Sequence, residues 1–324
     1  MAHLKQAPMA PLSGVADVQA LGAGDSYLVA NLLPPELADV AFSRIKEEVN
    51  WMTMYHRGGE VPRLVAVEGE VDQDGSFPIY RHPADESPPL SPFSPTVQQI
   101  QQHVQKVLHH PVNHVLIQLY RSGKDYISEH SDKTIDVVRG SNIVNVSLGA
   151  QRTMTLRLKK DMAKASPSSY VPSSSGSINI TENMPSKTGT PRPAQRIPLP
   201  HNSMFVMGLQ TNAEWLHSIK HDNRPLHTKL PEEQAFDGER VSLTFRHIGT
   251  FLSSDHTYIW GQGATGKRKD GAKPISNDKE QIEQLLCQFG VENQTSAFDW
   301  DQAYGRGFDV LHLAGTEAEA KPSE

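Results

Sequence analysis

Short runs with the period-two pattern of β-strands recur through the middle of this 324-residue chain. Residues 115–120, Val-Leu-Ile-Gln-Leu-Tyr, read as a buried strand, 121–124 as a turn and 126–129 as a short return strand that ends on His130. Residues 143–148 form another strand, closed by Gly149, and 153–158 alternate as its hairpin partner. Residues 203–208 and 215–217 follow, and 241–246 close the series. Such a set builds a β core. Two helices precede it. One starts at Pro34-Pro35-Glu36 and runs to about Val49, with Leu37, Val40, Ala41 and Ile45 on one face. The other runs from Pro95 to His109, with Ser94 as N-cap and Val97, Ile100, Val104 and Leu108 as its apolar face.

Chemistry concentrates in three places on these strands. His130-Ser131-Asp132 with the later His217 supplies two imidazoles and one carboxylate. That set can cap one face of an octahedral Fe(II), leaving three positions for a co-substrate and O₂. The same histidines could be ordinary hydrogen-bonded residues. Arg240 and Arg246 lie six apart, hence on one face of a strand. Two guanidinium groups in one core are costly without anions, and an Arg fork suits a carboxylate. The pair therefore suggests a dicarboxylate co-substrate such as 2-oxoglutarate, the alternative being a surface ion-pair face.

Several blocks in order resemble the AlkB-like branch of the Fe(II)/2-oxoglutarate dioxygenases. They are Tyr120-x-x-Gly123-x-Asp125-x-Ile127-x-x-His130-x-Asp132, Val146-Ser147-Leu148-Gly149, Trp215-x-His217 and Arg240-Val241-Ser242-Leu243-Thr244-Phe245-Arg246, spanning about residues 25 to 250. The resemblance implies an α+β fold. Its core would be a double-stranded β-helix (jelly-roll), with flanking N-terminal helices and a C-terminal helical extension. It also implies His130, Asp132 and His217 as iron ligands. Arg240 would hold the far carboxylate of 2-oxoglutarate and Arg246 would sit near its C1 end. Tyr120 and Gln118 would hydrogen-bond nearby, Gln118 standing where repair members of the family have Asn. Residues 51–83 would form a lid, with Tyr55, Phe77, Tyr80 and His82 available to stack on a flat substrate.

The substrate is read from charge and from one departure. The formal net charge is −6, without a basic stripe. Repair members carry acidic residues just after the metal Asp, where this chain has Lys133 and Thr134. In general plan the chain is also similar to a fungal dioxygenase of the cercosporin pathway. The expectation is thus oxidation of a C–H, a methyl on a heteroatom, in a small aromatic secondary metabolite. Oxidative demethylation of alkylated bases in DNA or RNA is the alternative. Residues 1–24 read as a disordered segment, 163–192 as an exposed Ser/Pro-rich insertion and 251–324 as a C-terminal extension. The single cysteine, Cys287, excludes an intrachain disulfide and reads as a small buried hydrophobe on a helix spanning 277–288. No apolar run is long enough to span a bilayer and no signal-peptide core is present, so a cytoplasmic monomer is expected, nuclear if bases are the substrate.

Overall fold

Alternation along the strands decides which residues reach the site and which reach the core. A computed structural model describes residues 20–56, 59–83, 88–161 and 191–311. The larger sheet has eight strands. Its order is β1 (Tyr27–Val29), β11 (Ser203–Met207), β8 (Ile143–Gly149), β13 (Arg240–Arg246), β6 (His114–Tyr120), β3 (Gly59–Gly69) and β2 (Met52–His56), with β5 (Leu90–Pro92) parallel on β3. The smaller runs β10 (Ala194–Leu199), β9 (Arg152–Leu158), β12 (Trp215–Ile219) and β7 (Ile127–His130). A third sheet, β16 (Lys273–Pro274), β15 (Tyr258–Gly261), β14 (Thr250–Leu252) and β4 (Phe77–Pro78), lies outside the pair. The helices are α1 (Pro35–Glu48), α2 (Pro95–Leu108), α3 (Leu209–Glu214), α4 (Pro231–Gln234), α5 (Lys279–Gln294) and α6 (Trp300–Tyr304).

The two larger sheets form the jelly-roll. On the outer face of the eight-stranded sheet, Val115, Ile117, Val146, Leu243 and Phe245 pack with Ala41, Ile45, Ile100 and Val104 of α1 and α2. On its inner face, Tyr120, Ile143, Phe205 and Met207 meet Met154, Leu156, Ile197 and Ile219 of the four-stranded sheet. The register aligns Arg240 with Tyr120, Ser242 with Gln118, Thr244 with Leu116 and Arg246 with His114. Across β8, Ser242 lies opposite Ser147 and Thr244 opposite Asn145. Since side chains alternate, all of these polar residues share the inner face.

Several expectations are corrected. The strand at 126–129 does not return onto β6, and 153–158 is not a hairpin partner of β8. Both β7 and β9 belong to the smaller sheet, where they flank β12. Gly149 permits the crossing after β8: its φ is 91°, and a Cβ there would lie 2.5 Å from the Glu239 carbonyl oxygen. The buried face of α1 is Ala38, Ala41, Phe42 and Ile45, with Val40 only partly covered. Ser94 does not cap α2; its N–H and hydroxyl donate to Glu68, while Glu48 of α1 accepts from Thr96. The C-terminal helix is longer than read, 279–294, and Cys287 on it is exposed. The segment read as the Ser/Pro-rich insertion lies, up to residue 190, outside the described residues, as do residues 1–19.

The chain beyond β13 folds back over one end of the jelly-roll. Leu285, Phe289, Tyr304, Phe308 and Val310 pack around Ile135. A buried ion pair pins this strap: Arg81 Nη2 lies 2.7 Å from Asp136 Oδ1. The same guanidinium donates to the carbonyls of Phe308 and Gly263. Among the described residues no helix is long and apolar enough to cross a membrane.

Candidate metal centre and its cavity

The register of the smaller sheet brings the two histidines together. His217 on β12 lies directly opposite His130 on β7, with ring centroids 4.2 Å apart. Asp132 follows two residues after the end of β7. Its Oδ1 is 3.8 Å from His130 Nε2 and 3.7 Å from His217 Nε2. The three ligand atoms all lie within 4.8 Å of one another.

Two of the three potential ligands are aimed by neighbours, whereas His217 Nδ1 is buried with no hydrogen-bond partner among the described residues. His130 Nδ1 lies 2.8 Å from the Ser128 carbonyl oxygen, so it carries the proton and Nε2 keeps a free lone pair. Asp132 Oδ2 accepts from Arg246 Nη2 at 2.6 Å and Nε at 3.0 Å, which leaves Oδ1 toward the imidazoles. Asn212 of α3 clamps the aspartate backbone, accepting from its N–H and donating to its carbonyl, both at 2.9 Å. Burial, then the nearby His217, pushes the His130 pKa down to about 3. Burial lowers His217 as well. For Asp132 burial opposes the charge, but Arg246 and the imidazoles overcome it and hold the carboxyl well below the usual range. Two neutral imidazoles and a carboxylate are the protonation states a divalent metal requires. The donor set fits Fe(II) as a facial two-histidine, one-carboxylate triad.

Unsatisfied donors mark where an anion would go. Arg240 is fully buried, and its Nε and Nη1 have no partner among the described residues. Its Nη2 donates to Asn145 and Ser147, and its Cζ lies 5.2 Å from the Tyr120 ring centroid. Arg246 likewise keeps Nη1 buried without a partner among the described residues. Burial lowers the Arg240 pKa to about 10, so it stays a cation at neutral pH. A dicarboxylate placed between the two arginines would satisfy these donors.

The triad opens into a cavity of about 690 Å³, within the range of roughly 300–1,000 Å³ usual for small-molecule sites. Of the expected residues, Gln118, Tyr120, Tyr80, His82, His130, Asp132, Lys133, His217 and Arg246 line it, whereas the fully buried Arg240 does not. The Tyr120 hydroxyl donates to Gln118 Oε1 at 3.1 Å. Tyr80 and His82 stack at 5.5 Å, and the Tyr80 ring lies 3.9 Å from Arg246 Cζ.

Three lid and substrate expectations change. Tyr55 is 50% exposed and outside the cavity lining, where Met54, its neighbour on the opposite face of β2, stands instead. Phe77 lies in the third sheet against His256, away from the cavity. Lys133 lines the cavity but is 3% exposed, and its Nζ is engaged by the Ser131 carbonyl and by Asn293. Sequence reasoning missed Asn212, Arg63 and the α5 residues Leu286, Phe289 and Asn293, which form one wall. No local pattern marks them, because they meet the site only through tertiary packing.

The sequence comparisons are in keeping with this donor set. A family model described as the 2OG-Fe(II) oxygenase superfamily matches residues 25–246. The DNA oxidative demethylase ALKBH2 of Homo sapiens is 30% identical over 238 residues, covering 71% of this chain and 76% of that protein. The alpha-ketoglutarate-dependent dioxygenase alkB homolog 3 of Homo sapiens is 26% identical over 187 residues, 58% of this chain and 52% of that one. Among solved structures, that of OsALKBH1 aligns with a TM-score of 0.39 at 15% identity, covering 68% of this chain and 97% of that one.

Proposed function

Because the chain belongs to the 2OG-Fe(II) oxygenase superfamily and is an AlkB-like 2-oxoglutarate-dependent dioxygenase, we propose that it oxidatively demethylates alkylated bases in nucleic acid. This reverses the order of preference expected from the sequence, which put a small aromatic metabolite first. Two findings support the change. The relative matched at 30% identity is a DNA oxidative demethylase. The charge that argued against a base, Lys133, is 3% exposed and engaged by the Ser131 carbonyl and Asn293.

The residues divide the work. His130, Asp132 and His217 would hold Fe(II), which with 2-oxoglutarate and O₂ supplies oxidation of a C–H bond with release of succinate and CO₂. Arg246 would keep Asp132 Oδ2 occupied, so that Oδ1 faces the metal. The free donors of Arg240 and Arg246 would take the two carboxylates of 2-oxoglutarate. The Tyr80–His82 stack would hold a base that has left its own stack, its methyl directed at the triad. Once hydroxylated, a methyl on a ring nitrogen leaves as formaldehyde.

The observation that carries the reading is the open, part-aromatic cavity directly over the triad. Succinate and formaldehyde release by the Fe(II)-loaded protein tests it, with methylated oligonucleotides in one panel and methoxy-substituted phenols in another. Coupled release on the oligonucleotides is expected. Release on the phenols alone would overturn the proposal and restore the metabolite reading, with its cytoplasmic setting.

A further inference from the structure

The wall contributed by α5 lies beyond the segment that matches the family, and it carries a residue whose hydrogen-bonding sense is fixed. Asn293 lines the cavity. Its Oδ1 accepts from the Ser131 N–H at 2.9 Å, the Ser131 hydroxyl at 3.4 Å and Lys133 Nζ at 3.4 Å. A backbone N–H and an ammonium can only donate, so the amide cannot be flipped. Lys133 thereby acts as a positioning residue, and Nδ2 is left without a partner among the described residues. On the β3 side of the same cavity stands Arg63. Its Nη1 donates to the Tyr126 carbonyl and its buried Nε has no partner among the described residues. Of the two carboxylates among the described residues of the lining, Asp132 is taken up by Arg246 and Glu60 is an exposed residue of β3.

Resting on the base-demethylation reading, we propose that Asn293 selects the lesion. It presents a donor to the methylated edge of the base, so the site favours neutral, carbonyl-flanked lesions over cationic, amino-flanked ones. In 3-methylthymine the methylated nitrogen lies between two carbonyls. In 1-methylguanine it has one carbonyl and the ring is neutral. In 3-methylcytosine it has one carbonyl, but the ring is cationic. In 1-methyladenine it has an amino group and no carbonyl, and the ring is again cationic. The site should rank them in that order. A donor that a seated base strips of water without offering an acceptor lowers an equilibrium or rate ratio by about 5- to 150-fold.

The test is kcat/KM on four otherwise identical oligonucleotides, each carrying one lesion. It is paired with binding of the same oligonucleotides to the Fe(II)- and 2-oxoglutarate-loaded protein without O₂. Wild type should favour 3-methylthymine over 1-methyladenine by at least about tenfold in both readouts. Asn293→Asp keeps the acceptor for Ser131 and Lys133 but replaces the donor with an acceptor, so the order should shift toward 3-methylcytosine and 1-methyladenine. Wild type that handles the cationic lesions as well or better would refute the role of Asn293 while leaving base demethylation standing. An unchanged order in folded Asn293→Asp protein would refute it too. Turnover of none of the four, with succinate released on methoxyphenols, would remove the base reading and this inference with it.

Discussion

Replacing Arg240 by Met separates its service to a ligand from any service to the fold. Arg240 is fully buried, and two of its guanidinium nitrogens are unpartnered while Nη2 binds Asn145 and Ser147. Losing the two Nη2 bonds destabilises the fold. Removing two orphaned buried donors offsets this by a similar amount, roughly 1–3 kcal/mol each. The ligand-free variant should therefore melt within a few degrees of wild type. Binding of 2-oxoglutarate behaves differently, because truncating one partner of a buried charge pair costs about 2–5 kcal/mol, or roughly 30- to 4,000-fold in Kd. At 2-oxoglutarate near 100 times its wild-type Kd, wild type gains about 2.7 kcal/mol of stability, whereas a 30-fold weaker variant gains about 0.9. At about 2–4 °C per kcal/mol, the ligand-induced rise in Tm should shrink from roughly 5–11 °C to about 2–4 °C. Thermal melts of Mn(II)-loaded protein with and without 2-oxoglutarate measure this. A full-sized ligand shift in Arg240→Met would show that this arginine does not hold the co-substrate.

Asn212→Ala should weaken Fe(II) or Mn(II) binding about 10- to 100-fold while leaving the fold intact, since Asn212 clamps both backbone polar groups of Asp132; calorimetric titration reads this. Arg81→Met strands Asp136 in the interior and releases the strap carbonyls. It should cost about 3–5 kcal/mol in urea unfolding and speed proteolysis after residue 251, and an unchanged urea midpoint would contradict the packing described. Acid should destabilise the metal-free protein. Burial, then His217, lowers His130 to about 3, and burial lowers His217 and His114 too, so between about pH 6.5 and 3 the unfolded chain binds more protons than the folded one. Stability is thus fully present above about pH 6.5 and is lost as pH falls through that window. A urea midpoint at pH 5 equal to or above that at pH 7 would contradict the neutral buried imidazoles.

Alternation and composition carry far in this chain, because they report local facts. The six-residue spacing of Arg240 and Arg246 forces both onto one strand face, and the structure puts that face inside, with Ser242 and Thr244 between them. His130, Asp132 and His217 stood out as a candidate metal set through the family-like blocks that hold them, and their ligand atoms lie within 4.8 Å of one another. Helix faces were legible to within a rotation, as the shift from Val40 to Ala38 and Phe42 on α1 shows.

Partner choice was not legible, because a strand's alternation specifies two faces but not which neighbour accepts its backbone hydrogen bonds. The segments 126–129 and 153–158 looked like returns onto the strands before them, yet both cross to the smaller sheet, and that crossing is what sets His130 opposite His217. Lys133 looked like a charge facing the substrate until tertiary packing supplied Asn293 from 160 residues away. The sequence by itself therefore determined the residue types of the metal set and the faces of the strands that carry the arginines. Tertiary structure alone decided which sheet holds each histidine, where Lys133 turns and what closes the cavity, because contacts between distant segments depend on how the sheets and α5 pack together, not on any local period.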